Sequence, residues 1–141
     1  GTLAAPPPSA SNAAQAHSRV LLVEDNPVNQ LVAKGMLGKL GYQVLLATQG
    51  EEALACLARE AVDVVLMDCN MPVMDGYEAT RRIRQNPAWH DLPIIALTAN
   101  AMADERERCR AAGMDDYLAK PFRMEQLAAL LKQWLSLKAA P

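Results

Sequence analysis

The sequence predicts an α/β domain, with five parallel strands in one doubly wound sheet and helices on both faces. Three observations carry that prediction. Short β-rich runs alternate five times with helix-period segments after residue 18. Three of those runs, VLLV, VVLM and IIAL, are apolar without interruption, as strands buried on both faces must be. Polar residues with useful chemistry then stand at the carboxyl ends of the same runs.

The elements follow in order. Residues 1–18 hold no Asp, Glu, Lys or Arg and include Pro6-Pro7-Pro8, so they are expected to form a disordered linker or tail. A single domain is expected over 19–138. Strands are expected at Val20–Glu24, Gln43–Ala47, Asp63–Asp68, Pro93–Thr98 and Asp116–Ala119, with helices over 27–40, 51–60, 76–86, 101–112 and 123–137. Gly41, Gly50 and Gly113 fall at helix ends and turns, where positive φ is useful. Asp75, just before Gly76, is placed to cap the third helix. In the last helix Leu127, Leu130, Leu131 and Trp134 form an apolar face, either core or a dimer surface.

The first helix is apolar on two sides. Val32, Ala33, Met36, Leu37 and Leu40 share a broad face that should meet the sheet. Val28, Leu31, Gly35 and Gly38 fall on a second face, roughly 150° away. The two glycines each cost about 1 kcal/mol against alanine, so this face reads as a docking surface for a partner.

Composition excludes several function classes. The 141 residues carry 14 Lys+Arg against 16 Asp+Glu, a balance without the basic excess of a nucleic-acid binder. No apolar run approaches the ~20 residues of a membrane span, and the N-terminus lacks the basic and apolar regions of a secretory signal. A cytoplasmic location is therefore expected. Cys56, Cys69 and Cys109 are odd in number and widely spaced, in no metal-ligand pattern, and Cys69 reads as a buried spacer.

The strand ends supply the candidate chemistry. A doubly wound sheet would gather Glu24, Asp25 and Asp68 on one edge, with Thr98 and Lys120 beside them. Three close carboxylates repel one another unless a cation is present, and Mg²⁺ takes oxygen ligands. Lys120 adds one mobile positive charge and Thr98 one hydroxyl donor.

VEDNPVNQ, VVLMDCNMPVMDGYEATRRIR, PIIALTAN and GMDDYLAKPF together resemble the response-regulator receiver domain, most closely the receivers of hybrid sensor histidine kinases. The resemblance runs from about Arg19 to Trp134. It implies the flavodoxin-like (βα)5 fold with strand order 2-1-3-4-5. It also implies Asp68 as phosphoacceptor from a phosphohistidine, with Asp25, Asp68 and the Asn70 backbone carbonyl binding Mg²⁺ and Glu24 acting through a metal-bound water. Lys120 would pair with a phosphoryl oxygen across a cis Lys120–Pro121 peptide. Thr98 and the Ala99 amide would bind the phosphoryl group, with Tyr117 turning inward as the switch aromatic. Asn70 and Asn100 would hold the positions that tune acyl-phosphate lifetime. The docking face of Val28, Leu31, Gly35 and Gly38 would receive a histidine phosphotransfer (HPt) domain or the kinase's own phosphohistidine domain.

Other functions fit less well. A haloacid-dehalogenase-type hydrolase wants a second Asp two residues after the nucleophile, where Asn70 stands. No G-x-x-x-x-G-K-[ST] or G-x-G-x-x-G is present. A receiver that only binds partners would not need the full set of phosphorylation residues. With the last helix ending near Pro141 and an Ala/Pro linker in front, the expectation is a receiver at the carboxyl end of a larger kinase. A free-standing single-domain regulator is the alternative.

Overall fold

The computed structural model describes residues 18–69, 75–99 and 102–139. Five strands, β1 (Arg19–Val23), β2 (Gln43–Ala47), β3 (Val64–Asp68), β4 (Ile94–Thr98) and β5 (Asp116–Ala119), form one sheet ordered β2-β1-β3-β4-β5. All four pairings are parallel. The helices are α1 (Pro27–Lys39), α2 (Gly50–Arg59), α3 (Gly76–Arg84), α4 (Ala103–Ala112) and α5 (Met124–Ala139). Strand and helix limits agree with the sequence reading to within about two residues at each end. A single 3₁₀ turn at Pro87–Trp89, capped by the Asn86 side chain, occupies what reads in sequence as plain loop.

Burial explains the apolar runs. Every residue of β3 and β4 is buried, and so is β1 beyond Arg19, whereas the edge strands β2 and β5 are mostly only partly buried. Side chains of successive strand residues point to opposite faces, and two cores result. Val20, Leu22, Val64, Leu66, Ile95 and Leu97 pack with Ala33 and Leu37 of α1 and Leu127 and Leu131 of α5. Leu21, Val23, Val65, Met67 and Ala96 pack with residues of α2, α3 and α4. Leu127 and Leu131 are thus core, with Leu130 and Trp134 partly buried against them.

Two expectations need correction. Val32 does not meet the sheet but is 51% exposed, while Met36 and Leu40 are only partly buried. The inward arc of α1 is therefore narrower than the broad face drawn from sequence, and it centres on Ala33 and Leu37. Gly50 begins α2 in ordinary helical conformation; among the described glycines only Gly41 and Gly113 have positive φ, at 92° and 107°. The Lys120–Pro121 peptide is cis.

Candidate functional site

The site lies at the carboxyl ends of β1 and β3, where the chain's crossovers diverge to opposite sides of the sheet and a crevice opens. Glu24 follows β1 directly, and its N–H still donates to the Ala47 carbonyl at 3.0 Å. The start of α1 then fixes it. Asn26 caps that helix by accepting from the Val28 and Asn29 amides, while its own N–H donates to Glu24 Oε2 at 3.2 Å. Gln30 Nε2 donates to the Glu24 carbonyl. The sequence NPVNQ is thus a helix start that also holds a buried carboxylate.

Asp68 ends β3 and is 2% exposed, as is Glu24. Strand alternation puts Glu24, Asp68 and Lys120 on the face shared by α1 and α5. Each of them lies two residues beyond a core residue of that face (Leu22, Leu66 and Leu118). Lys120 Nζ donates to Glu24 Oε1 at 3.1 Å and to Asp68 Oδ1 at 3.2 Å. Asp25, more open to solvent, completes a group of three carboxylates with oxygens within 4.8 Å of one another. Three carboxylates facing one ammonium leave two uncompensated negative charges. An oxygen-only donor set with that excess fits a hard divalent cation such as Mg²⁺.

The electrostatics agree. Burial, followed by the nearby Asp68, pushes the Glu24 carboxyl above its usual pKa, although the Asn26 amide and Lys120 pull the other way. At Lys120 burial opposes the charge, but Asp68 and Glu24 outweigh it and hold the ammonium above the ordinary lysine value.

Thr98 ends β4 with 2% exposure, and its carbonyl accepts from the Lys120 N–H at 2.7 Å. Ala99 follows, exposed. Tyr117 is opposite Ala96 in the β4–β5 register, so Thr98 and Tyr117 are diagonal neighbours on the face covered by α4. The Tyr117 ring is half-buried, and its hydroxyl accepts from Arg106 Nη1 at 3.1 Å. Asn70, whose carbonyl is expected to bind the cation, lies outside the described residues, as do Met71, Met74 and Asn100. Asp75 caps α3 as expected, accepting from the Glu78 amide at 2.9 Å. His90 is exposed, and its Nδ1 stands 3.5 Å from Asp91 Oδ1.

On α1, Val28 and Leu31 are 68% and 73% exposed, and nothing lies within 4 Å of a Cβ built on Gly35 or Gly38. The two sides of the helix are therefore used as the sequence implies, one for core and one for solvent. A groove of about 370 Å³ lies between α1 and the Lys120–Phe122 segment, lined by Val32, Met36 and Phe122 and also by Glu24 and Lys120.

Sequence reasoning missed Gly76. A Cβ there would stand 2.3 Å from the Asp68 carbonyl oxygen and 3.0 Å from Cys69 Cα, so only glycine lets α3 approach the strand end. The D-G pair was legible as a helix start; its contact with Asp68, seven intervening residues away in sequence, was not.

The model of the response regulator receiver domain matches residues 20–132. Among curated relatives, the sensor histidine kinase RcsC of Salmonella typhimurium is 45% identical over 120 residues, covering 85% of this chain and 12% of the relative. The sensor protein GacS of Pseudomonas syringae is 44% identical over 137 residues, covering 93% and 14%. The chain therefore spans about an eighth of the length of the curated relatives it matches. Among solved structures, the receiver domain of sensor histidine kinase PA1611 from Pseudomonas aeruginosa is 51% identical, with a TM-score of 0.79, covering 84% of this chain and 98% of that one. That structure is described with a magnesium ion coordinated in the active site cleft. The chemotaxis protein CheY4 of Vibrio cholerae is 33% identical, with a TM-score of 0.79 over 82% of this chain and 97% of that one.

Proposed function

The chain belongs to the response regulator receiver domain family, and on that premise we propose that Asp68 is its phosphoacceptor, taking a phosphoryl group from a phosphohistidine. The observation that carries this reading is the buried Asp68 carboxylate held 3.2 Å from Lys120 Nζ beside two further carboxylates. A carboxylate oxygen of Asp68 attacks phosphorus, and the O–P bond forms as the P–N bond breaks. The donor imidazole, protonated at its other nitrogen, leaves neutral. Phosphoryl transfer needs in-line positioning and charge neutralisation more than covalent assistance.

Each neighbour has a place in that step. Lys120, already paired with Asp68, shifts its charge to the incoming phosphoryl oxygens. Thr98 and the Ala99 amide, at the end of the adjacent strand, donate to the phosphoryl group once it is in place. Tyr117, diagonal to Thr98, follows that movement inward, a bistable element biased by about two added negative charges. Asp25, Asp68 and the Asn70 carbonyl would hold Mg²⁺, with Glu24 reaching it through water, and the ion would neutralise charge between the carboxylates and the phosphoryl oxygens.

The 44–45% identity to sensor kinases supports a place as the receiver of a hybrid sensor histidine kinase, working in the cytoplasm. The exposed Val28–Leu31 face, on the same helix that walls the groove lined by Glu24 and Lys120, supports docking of an HPt domain or of the kinase's own phosphohistidine domain. Borohydride reduction of the phosphorylated protein followed by peptide mapping tests the acceptor: homoserine at position 68 is expected. Homoserine at Asp25 or elsewhere, with Asp68 unchanged, overturns the assignment.

A further inference from the structure

On the opposite face of the sheet from the acidic site, a second group of ligating side chains converges. Cys69 follows Asp68 at the end of β3, and its N–H donates to the Leu97 carbonyl at 3.1 Å. Glu105 and Cys109 are four residues apart on α4, so one turn of helix stacks them on a single face. The Cys69 and Cys109 sulfurs and a Glu105 carboxylate oxygen all lie within 4.8 Å of one another. The 39 residues between the cysteines hide this from any reading of sequence spacing.

We propose that Cys69, Cys109 and Glu105 form a site for a soft divalent cation of the Zn²⁺ class, separate from the acidic Mg²⁺ site. Three features support it. Two sulfurs and one carboxylate oxygen are a donor set that favours Zn²⁺ and disfavours Mg²⁺. Tetrahedral zinc with Zn–S bonds of about 2.3 Å places its sulfurs roughly 3.8 Å apart, so ligand atoms already within 4.8 Å need move little. The ligands also stand on regular structure, a strand end and a helix, rather than on loose loop.

Access is graded in a way that suits entry of an ion. Cys69 and Cys109 are 1% and 4% exposed, whereas the Glu105 side chain is 18% exposed and forms the mouth of the site. Arg108 reaches Glu105 only at 3.9 Å, a loose pairing that a bound cation would displace. On binding, each thiol gives its proton to water as its sulfur–metal bond forms, and water fills the fourth position. The bound ion would tether the residue beside the phosphoacceptor to α4, the helix whose Arg106 holds Tyr117.

Titration with Co²⁺, in excess Mg²⁺ to occupy the acidic site, tests this directly. Thiolate ligation gives an intense near-ultraviolet charge-transfer band, which carboxylate ligation alone does not. One equivalent of Co²⁺ per chain should develop the band, and added Zn²⁺ should abolish it. Cys56→Ser should keep the band, whereas Cys69→Ser and Cys109→Ser should each lose it. Glu105→Gln, on the helix surface, should weaken binding by about tenfold or more. Circular dichroism of each variant, compared with the parent, confirms its fold; Cys→Ala versions replace any serine variant that unfolds. No band in the parent protein, or a band that survives loss of either Cys69 or Cys109, overturns the proposal.

Discussion

Gly76 sets how closely α3 approaches Asp68, the proposed phosphoacceptor. Gly76 is the one described position where an added Cβ would press into the Asp68 backbone, at 2.3 Å from its carbonyl oxygen. Gly76→Ala must therefore push the strand end and helix apart. Displacement of a reacting group by about 1 Å costs on the order of 100-fold in rate. We expect acetyl phosphate labelling of Gly76→Ala to fall by about that factor while the far-ultraviolet spectrum is retained; labelling at the parental rate would show that the contact is not used for positioning. Glu24 makes a second prediction at this scale. Its folded-state pKa is raised, first by burial and then by Asp68, so its contribution to stability is full below the unfolded value of 4.5 and is lost as pH rises through the folded value. At neutral pH in EDTA, Glu24 thus works against the fold. Glu24→Gln should raise the unfolding midpoint at pH 7.5 more than at pH 4.5. An equal effect at both pH values would contradict the sign. Glu24 and Asp68 were legible in the sequence because each stands at the end of an apolar run, and Lys120 because it stands just past the fifth strand. Gly76 was not, because its constraint is a through-space contact that no local pattern encodes.

At the scale of elements, Arg84 ties α3 to the far end of the sheet. Its guanidinium donates to the carbonyls of Gly113, Trp89 and Leu92 at 2.9, 2.8 and 2.7 Å, and to Asp115 Oδ2 at 2.8 Å. Asp115 Oδ2 in turn accepts from the Ile94 amide at the start of β4. Arg84 would read from sequence as one more solvated charge beside Arg81 and Arg82; only the fold reveals its partners. Lysine cannot reproduce a planar fork shared among five acceptors, the His90 carbonyl at 3.3 Å being the fifth. Arg84→Lys should cost about 3 kcal/mol in urea denaturation, from carbonyls left without donors, yet leave the labelled residue unchanged. A loss below about 0.5 kcal/mol would mean that water replaces the guanidinium without cost. The first helix tests the docking reading. Leu31→Glu puts a charge in the middle of an exposed apolar face, 73% exposed in the free domain. Transfer from a histidine-phosphorylated HPt domain should fall at least tenfold, about 1.4 kcal/mol, while acetyl phosphate labelling and stability hold. Equal loss with both donors would place Leu31 in the fold rather than in docking. The two sides of this helix are visible in the sequence, but a 100° repeat drawn on residue type alone makes the buried arc too wide and takes in Val32, which is exposed.

The whole molecule is organised by the alternation of its strands. Glu24, Asp68 and Lys120 lie toward α1 and α5, while Thr98, Tyr117 and the Cys69–Cys109 pair lie toward α4. On the proposed function, charge added on one face is thereby felt on the other through residues one step apart along the same strands. Five alternations of strand and helix were enough to anticipate the α/β class, and apolar runs in β1, β3 and β4 identified the inner strands. Strand order came from resemblance, since periodicity says nothing about which parallel strands are neighbours; the observed β2-β1-β3-β4-β5 agrees with it. Among the described residues no helix is long and apolar enough to cross a membrane. The central claim, that Asp68 accepts a phosphoryl group with help from a divalent cation, is tested most directly by intact mass after incubation with acetyl phosphate. The parent protein should gain one phosphoryl group with Mg²⁺ and none in EDTA, and Asp68→Asn should gain none in either. A phosphoryl group that forms equally without Mg²⁺, or that persists in Asp68→Asn, would contradict it.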